Sequence, residues 1–238
     1  MKILGIDTST MAANVAVLED DKLICEYTIN TKKTHSQKLM PMIENMLKLS
    51  DLDIKEIDAI AICVGPGSFT GLRIGMATAK AMAHVNNIPL IGVNSLEILG
   101  ANMDLCNRNI CSILDAQRNQ VYMNKYILKD YKITELEEIS IKPIDELLEE
   151  ISSSNEDWVL VGEAVYKYKE KIEEISNITI PSPANNITKA STLCFVARDK
   201  MLANDQVYNC YNINPMYIRK SQAEEQYEEK QKRLKDGK

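Results

Sequence analysis

Residues 65–75 read Gly-Pro-Gly-Ser-Phe-Thr-Gly-Leu-Arg-Ile-Gly and hold four of the nine glycines of the chain. A mostly apolar run at residues 57–64 leads into this stretch, and small residues with helical spacing follow it at residues 76–85. Glycine concentrates where the backbone needs a positive φ or a close approach to another segment. The pattern therefore predicts a strand, a glycine loop and a helix whose free N–H groups could hold an anion.

The spacing of these glycines differs from that of the two common phosphate-binding motifs. A P-loop requires G-x-x-x-x-G-K-[ST], and no lysine follows Gly71. The dinucleotide fingerprint requires G-x-G-x-x-G, whereas Gly65, Gly67 and Gly71 follow the pattern G-x-G-x-x-x-G. By composition alone, a tight strand-to-helix turn and a ligand-binding loop are equally acceptable interpretations.

The helix after the loop carries a ridge of small side chains. Gly71, Gly75, Ala79 and Ala83 recur at every fourth position and therefore share one face. A ridge of this kind lets a neighbouring backbone pack closely. That neighbour is either the protein's own sheet or a helix from another chain.

Length and composition limit the classes of protein that fit. A chain of 238 residues forms one large domain or two small ones. The net charge of −6 disfavours independent binding of nucleic acid but leaves open a role beside nucleic acid through a partner. No apolar run approaches the roughly 18 residues of a membrane span. Six cysteines without a C-x-x-C pair favour reduced thiols and a cytoplasmic location.

The order of predicted elements indicates an α/β protein with two similar β-β-β-α-β-α halves. We place the halves at residues 1–105 and 106–220, followed by a charged tail at 221–238 that we expect to be flexible. The first half has strand 2–7, hairpin strands 14–19 and 22–30, helix 36–50, strand 57–64, the helix after the glycine loop, strand 89–93 and helix 96–103. The second half has strands 110–115 and 120–128, helix 143–152, strand 157–162 and helices 164–175 and 188–203.

Candidate catalytic residues are few. Asp7 and Asp115 each end a predicted strand, so they could form a pair of carboxylates that handles Mg²⁺ and a nucleophile. The alternative is that each starts a turn by accepting hydrogen bonds from nearby N–H groups. The two histidines, His35 and His84, are 49 positions apart, so we predict no metal site and expect both to cap helices or lie on the surface.

Four stretches of the sequence together resemble the TsaB (YeaZ) family. They are residues 4–10, residues 35–41, the glycine loop 65–75 and residues 115–122, with a weaker fifth match at residues 215–219. The family pattern usually reads Asp-Ala-Arg where this chain has Asp115-Ala116-Gln117-Arg118, and usually has Leu where Ile218 stands.

The resemblance implies a fold and a function. The fold would be a duplicated ribonuclease-H-like fold of the actin, Hsp70 and sugar-kinase type, without its complete catalytic equipment. The protein would be a non-catalytic subunit that pairs with the catalytic paralogue TsaD and works with the ATPase TsaE. Together they transfer a threonylcarbamoyl group to N6 of adenosine 37 in tRNA. The chain would form a homodimer when alone, meet tRNA only through the complex, bind no cofactor tightly, and involve ATP or ADP only at the level of the complex.

The resemblance also implies site residues, because the helices after His35 and after the glycine loop form the family's dimer face. The implied partner-binding residues are Leu39, Met42, Ile43, Met46, Gly71, Leu72, Arg73, Gly75, Met76, Ala79 and Met82. Vestigial nucleotide contacts are expected at Asp7, Thr8, Ser9, Gly65, Gly67 and Asp115. The alternative hypothesis is a stand-alone ATP-dependent kinase or transferase that uses Asp7, Thr8 and the glycine loop to hold phosphate.

Overall fold

The computed structural model describes residues 1–31, 34–103, 108–129 and 132–219, which form two mixed β-sheets with helices packed on them. The tail expected at residues 221–238 lies outside the described residues. Among the helices that the structure describes, none combines the length and apolarity needed to cross a bilayer. All five cysteines within the described ranges are free thiols.

The first half begins with an antiparallel meander that turns at Asp20-Asp21, as the sequence predicts. Asp20 has a φ of 51°, a conformation that Asp tolerates better than most residues. The elements of this half are β1 (Lys2–Asp7), β2 (Ala12–Glu19), β3 (Lys22–Asn30), α1 (His35–Leu49), β4 (Ala59–Gly65), α2 (Phe69–Asn86), β5 (Leu90–Asn94) and α3 (Ser95–Ala101).

The second half repeats this plan with shorter counterparts of α1 and α2. Its elements are β6 (Asn109–Asp115), β7 (Gln120–Lys129), β8 (Lys132–Glu135), β9 (Ser140–Pro143), α4 (Ile144–Ser152), β10 (Trp158–Val161), α5 (Ala164–Lys167), α6 (Lys169–Glu173), β11 (Ile178–Thr179), α7 (Ala190–Leu202) and β12 (Val207–Tyr208).

The two sheets share one strand order, which confirms the duplicated ribonuclease-H-like fold. The first sheet runs β12-β5-β4-β1-β2-β3, and the second runs β11-β10-β6-β7-β8 with β9 paired to β7. In each sheet the first strand of the half pairs antiparallel with the next strand and parallel with the strand that follows the first helix. Parallel pairing needs a crossover, which α1 and α4 supply.

The last helix of each half packs on the sheet of the other half. α7 contributes Leu193, Cys194 and Ala197 to the core against β1, β2, β4 and β5. α3 contributes Leu96 and Leu99 to the core against β6 and β7. The division at residue 105 therefore separates the two sheets, except that β12 of the second half joins the first sheet. It does not separate the two cores, because each core contains a helix from the other half. As a domain boundary, residue 105 stays a prediction.

One helix prediction needs correction. The helix predicted at 164–175 is two short helices that meet at Tyr168. α2 begins at Phe69 and so includes Gly71 and Gly75 of the small ridge, because tertiary packing outweighs the low helix propensity of glycine.

Candidate functional site

The glycine loop packs directly against the turn that follows β1. The Ser68 N–H donates to the Ser9 carbonyl at 2.7 Å, and Thr8 Oγ1 donates to the Gly71 carbonyl at 2.7 Å. A Cβ atom on Gly67 would lie 2.2 Å from Ser9 O, and one on Gly71 would lie 2.0 Å from Thr8 O. These glycines therefore make room for the chain's own backbone, as the tight-turn interpretation requires.

The small ridge of α2 faces the same way. A Cβ atom on Gly75 would lie 2.4 Å from Thr8 Oγ1, while Ala79 and Ala83 are buried in the core beneath the first sheet. Of the two neighbours considered for this ridge, the protein's own sheet is the one observed.

The apolar side chains predicted to face a partner lie in the same core, and this part of the prediction is wrong. Each is at most 4% exposed: Leu39, Met42, Ile43, Met46, Leu72 and Met76. Gly71, Gly75 and Ala79 are buried with them, and the half-buried Met82 packs against them. An amphipathic stripe shows that one face of a helix is buried but not what buries it. The helical period of the apolar residues therefore did not distinguish burial against a partner from burial against the chain's own sheet. Only Arg73 of the predicted set is exposed.

The opposite side of α2 is exposed and carries small and apolar side chains. Arg73, Ala77, Ala81 and Val85 recur at every fourth position, are all exposed, and form what we call the outer face of α2. Val85 is 80% exposed, and on the neighbouring α1 Leu49 is 74% exposed. The four-residue spacing of this row is visible in the sequence, but the inner ridge has the same spacing, so it did not show which row is exposed.

Both strand-end aspartates start turns. Asp7 is fully buried; its Oδ1 accepts from the Ser9 N–H at 2.8 Å and its Oδ2 accepts from Asn14 Nδ2 at 3.4 Å. Asp115 Oδ1 accepts from the Gln117 N–H at 3.0 Å and pairs with Lys167 Nζ at 2.9 Å. Each carboxylate thus accepts the hydrogen bond from a following N–H group that the turn-starting interpretation predicts.

A cavity of about 220 Å³ lies between the two halves. Its lining includes Thr10 and Met11 from the turn after β1, and Glu163 and Tyr166 from the segment after β10. Burial raises the pKa of Glu163, and the charges of Asp115 and Asp7 add to that rise. The sequence pattern alone did not single out Glu163, although it follows Gly162, the counterpart of the glycine that ends β4.

His35 is part of the site and not a surface residue. Its Nε2 lies 2.9 Å from the Thr10 carbonyl, and burial lowers its pKa. Its other ring nitrogen is buried and has no hydrogen-bond partner among the described residues. Across residues 1–31, 34–103, 108–129 and 132–219, no cluster of three or more His, Cys, Asp or Glu side chains could hold a metal ion.

An aromatic pair covers the start of α2. The rings of Phe69 and Tyr217 are stacked, with centroids 4.9 Å apart and planes 10° apart. Arg73 Nε donates to the Tyr217 hydroxyl at 3.0 Å, and the guanidinium carbon lies 5.6 Å from the Tyr217 ring centroid. The weak match at residues 215–219 was the only sign of this contact in the sequence.

Comparison with known proteins assigns the family. A family model described as "TsaD: tRNA N6-adenosine threonylcarbamoyltransferase" matches residues 22–227. A Bacillus subtilis protein, "tRNA threonylcarbamoyladenosine biosynthesis protein TsaB", is 32% identical over 234 residues, or 98% of this chain and 100% of that protein. The chain belongs to the TsaB (YeaZ) family.

Further relatives agree with the TsaB assignment and with the fold. The Escherichia coli protein of the same description is 33% identical over 168 residues, which cover 68% of this chain and 71% of that protein. The solved structure "YeaZ from Pseudomonas aeruginosa" has a TM-score of 0.77 at 23% identity and covers 91% of this chain and 99% of that one. The similarity to that structure supports the fold described above for this chain.

Proposed function

We propose that this chain is a non-catalytic subunit in the biosynthesis of threonylcarbamoyladenosine in tRNA, and that it binds the catalytic paralogue TsaD through the outer face of α2. In this proposal the ATPase TsaE joins the same cytoplasmic complex, tRNA meets the chain only through the complex, and the chain forms a homodimer when alone. The observation that carries the proposal is the exposed row of small and apolar residues on the outer face of α2 in a member of the TsaB family.

The outer face of α2 suits close packing against another helix. Ala77 and Ala81 have no side-chain atoms beyond Cβ, so a partner backbone can approach them closely. Val85 at one end is apolar and 80% exposed, and its burial by a partner would remove apolar surface from water. Arg73 at the other end is an interface-favoured residue type.

The interior of the site supports a non-catalytic role. Thr8 and Ser9 occupy the space beside the glycine loop, within hydrogen-bond distance of Gly71 and Ser68. Both carboxylate oxygens of Asp7 accept hydrogen bonds within or beside its own turn. These groups are the ones that the alternative hypothesis, a stand-alone kinase or transferase, would need for phosphate and Mg²⁺.

The test compares two exposed alanines. Ala81→Glu places a charge on the outer face of α2, whereas Ala184→Glu places the same charge on an exposed turn of the second half. We expect Ala81→Glu to abolish capture of TsaD and to remove tRNA modification by the reconstituted mixture, and Ala184→Glu to preserve both. Undiminished capture by Ala81→Glu would refute this docking surface. Mg²⁺-dependent ATP hydrolysis by the purified chain alone would favour the stand-alone enzyme.

A further inference from the structure

Residues 213–219, here called the strap, cross from one half of the molecule to the other. Ile213 is buried in the core of the first half. Three residues later, the Met216 N–H donates to the Val64 carbonyl at 2.7 Å, next to the glycine loop. Ile218 then packs against the core of the second half. The strap therefore touches both cores within a few residues.

The strap holds the start of α2 through a single side chain. Tyr217 stacks on Phe69 and accepts the hydrogen bond from Arg73, so its ring and hydroxyl both contact the first two turns of α2. Tyr217 is nevertheless 44% exposed. A side chain that is held on α2 but remains accessible can be released without opening the core.

At its other end the strap holds the hairpin turn between β6 and β7. Arg219 Nη1 donates to the Ala116 carbonyl. The next three residues, Gln117, Arg118 and Asn119, have φ values of 63°, 49° and 57°. Successive non-glycine residues with positive φ are unfavourable and persist only where surrounding contacts hold them. The Arg219 contact is one of those restraints.

We propose that the strap couples the outer face of α2 to the hairpin turn after β6. Only Ile218 lies between Tyr217 and Arg219, so release of the Tyr217 ring gives Arg219 more freedom and weakens its restraint on the turn. Arg73 connects the outer face of α2 to the strap, because it lies on that face and also donates to the Tyr217 hydroxyl. The use of this coupling by a docked partner rests on the proposed function; the coupling itself does not.

Amide hydrogen exchange of the full chain, resolved by residue with NMR, tests the coupling. Tyr217→Ala removes the ring but leaves every atom of the Arg219 contact in place, so a change at the turn does not come from direct loss of that contact. We expect the amides of Ala116 and Gln120, which hold the turn by hydrogen bonds, to exchange about tenfold faster, together with that of Met216. The control is Tyr211→Ala, which removes a 76% exposed tyrosine that contacts His84, and it should leave these rates unchanged.

Two outcomes would overturn the proposal. One is faster exchange at Met216 with rates at Ala116 and Gln120 within about twofold of the wild type; the other is equal acceleration by the control. If Tyr217→Ala does not fold, Tyr217→Phe keeps the stack, loses the acceptor for Arg73 and should give a smaller change of the same sign at the same amides. Adding TsaD should slow exchange at Ala116 in the wild type and less so in Tyr217→Phe. Failure of the wild type to bind TsaD counts against the proposed function only, because the rates of the isolated chain still decide the coupling.

Discussion

Gly71 is needed for the space it leaves and not for backbone flexibility: its backbone is helical, and its missing side chain is what lets α2 touch the turn after β1. The distance of 2.0 Å between a Cβ built there and Thr8 O leaves no room for even a methyl group. The Thr8 hydroxyl fixes the same approach by donating to the Gly71 carbonyl. The glycine that suggested a phosphate site thus serves a backbone contact within the chain.

Gly71→Ala tests this steric role, because helix propensity and packing predict opposite signs. Propensity alone would stabilise the helix by about 1 kcal/mol. We expect the clash to dominate and lower the free energy of unfolding by about 2–4 kcal/mol in urea titrations. Gly92→Ala is the matched control, since its nearest contact is the Val64 Cγ1 atom at 3.0 Å, a side-chain methyl that can shift. Equal stability of the two variants would contradict the argument.

Glu163 makes the stability of the fold depend on pH. Its pKa is raised above the ordinary value of 4.5, chiefly by burial. Between the ordinary and the raised pKa, the native state binds more protons than the unfolded state, so stability falls as pH rises. Glu163→Gln removes the titrating carboxyl and with it this pH-dependent loss of stability. We expect the melting temperature of Glu163→Gln, relative to that of the wild type at the same pH, to increase as pH rises from 4 towards neutrality.

The control for this experiment is Glu170→Gln, which changes an exposed carboxylate on α6. Its melting temperature should follow that of the wild type across the same pH range. Parallel melting curves for Glu163→Gln and the wild type would show that the carboxyl of Glu163 is not penalised by its position in the cavity.

At the scale of elements, α2 presents two faces made of similar residues with different roles. Gly71, Gly75, Ala79 and Ala83 face the first sheet, whereas Ala77 and Ala81 face outwards. Both rows repeat every four residues, so spacing alone does not distinguish them. The row against the sheet is covered by the strands beside it, whereas the outward row is exposed and is the surface we propose for a partner.

Ala79→Glu and Ala81→Glu should separate these two faces. Ala79 is 0% exposed, so a glutamate there buries an unpaired charge and should cost about 3–5 kcal/mol of unfolding free energy. Ala81 is exposed, and the same change there should stay within about 0.5 kcal/mol. Thermal unfolding followed by circular dichroism gives both values. A stable Ala79→Glu protein would mean that the ridge does not face the core.

At the scale of the whole molecule, the crossing of α3 and α7 joins the two halves into one folding unit. Without α7, the first sheet would expose the face that holds Ile3, Ala61 and Ile91, each fully buried in the structure. The strap adds hydrogen bonds from residues 213–219 to both halves. The repeat seen in the sequence therefore describes a repeated strand order and not two independent halves.

Cooperative unfolding of the two halves follows from this packing. Trp158, the single tryptophan, lies in β10 of the second half and reports on that half alone. We expect its fluorescence and the far-ultraviolet circular dichroism of the whole chain to give coincident urea transitions. Separate midpoints would show that the halves unfold independently, as a strict division at residue 105 would require.

The sequence by itself determined the order and type of most elements, because hydrophobic period, turn residues and caps act over a few neighbouring positions; it did not place the short strands β8, β9, β11 and β12. The Asp20-Asp21 turn and the cap at Asn94, whose Oδ1 accepts from the Glu97 N–H at 2.7 Å, are local features of this kind. Family membership followed from short motifs that are also local.

Only the tertiary structure showed which buried helix faces are buried against other parts of the same chain. Residues far apart in sequence meet in each of these contacts: the apolar stripe of α1 and the small ridge of α2 pack on the first sheet, as does α7, and Tyr217 stacks on Phe69. The helical period of apolar residues shows that these side chains are removed from water, but it does not show what buries them. The reason is that burial against a sheet and burial against another protein remove the same apolar area from water.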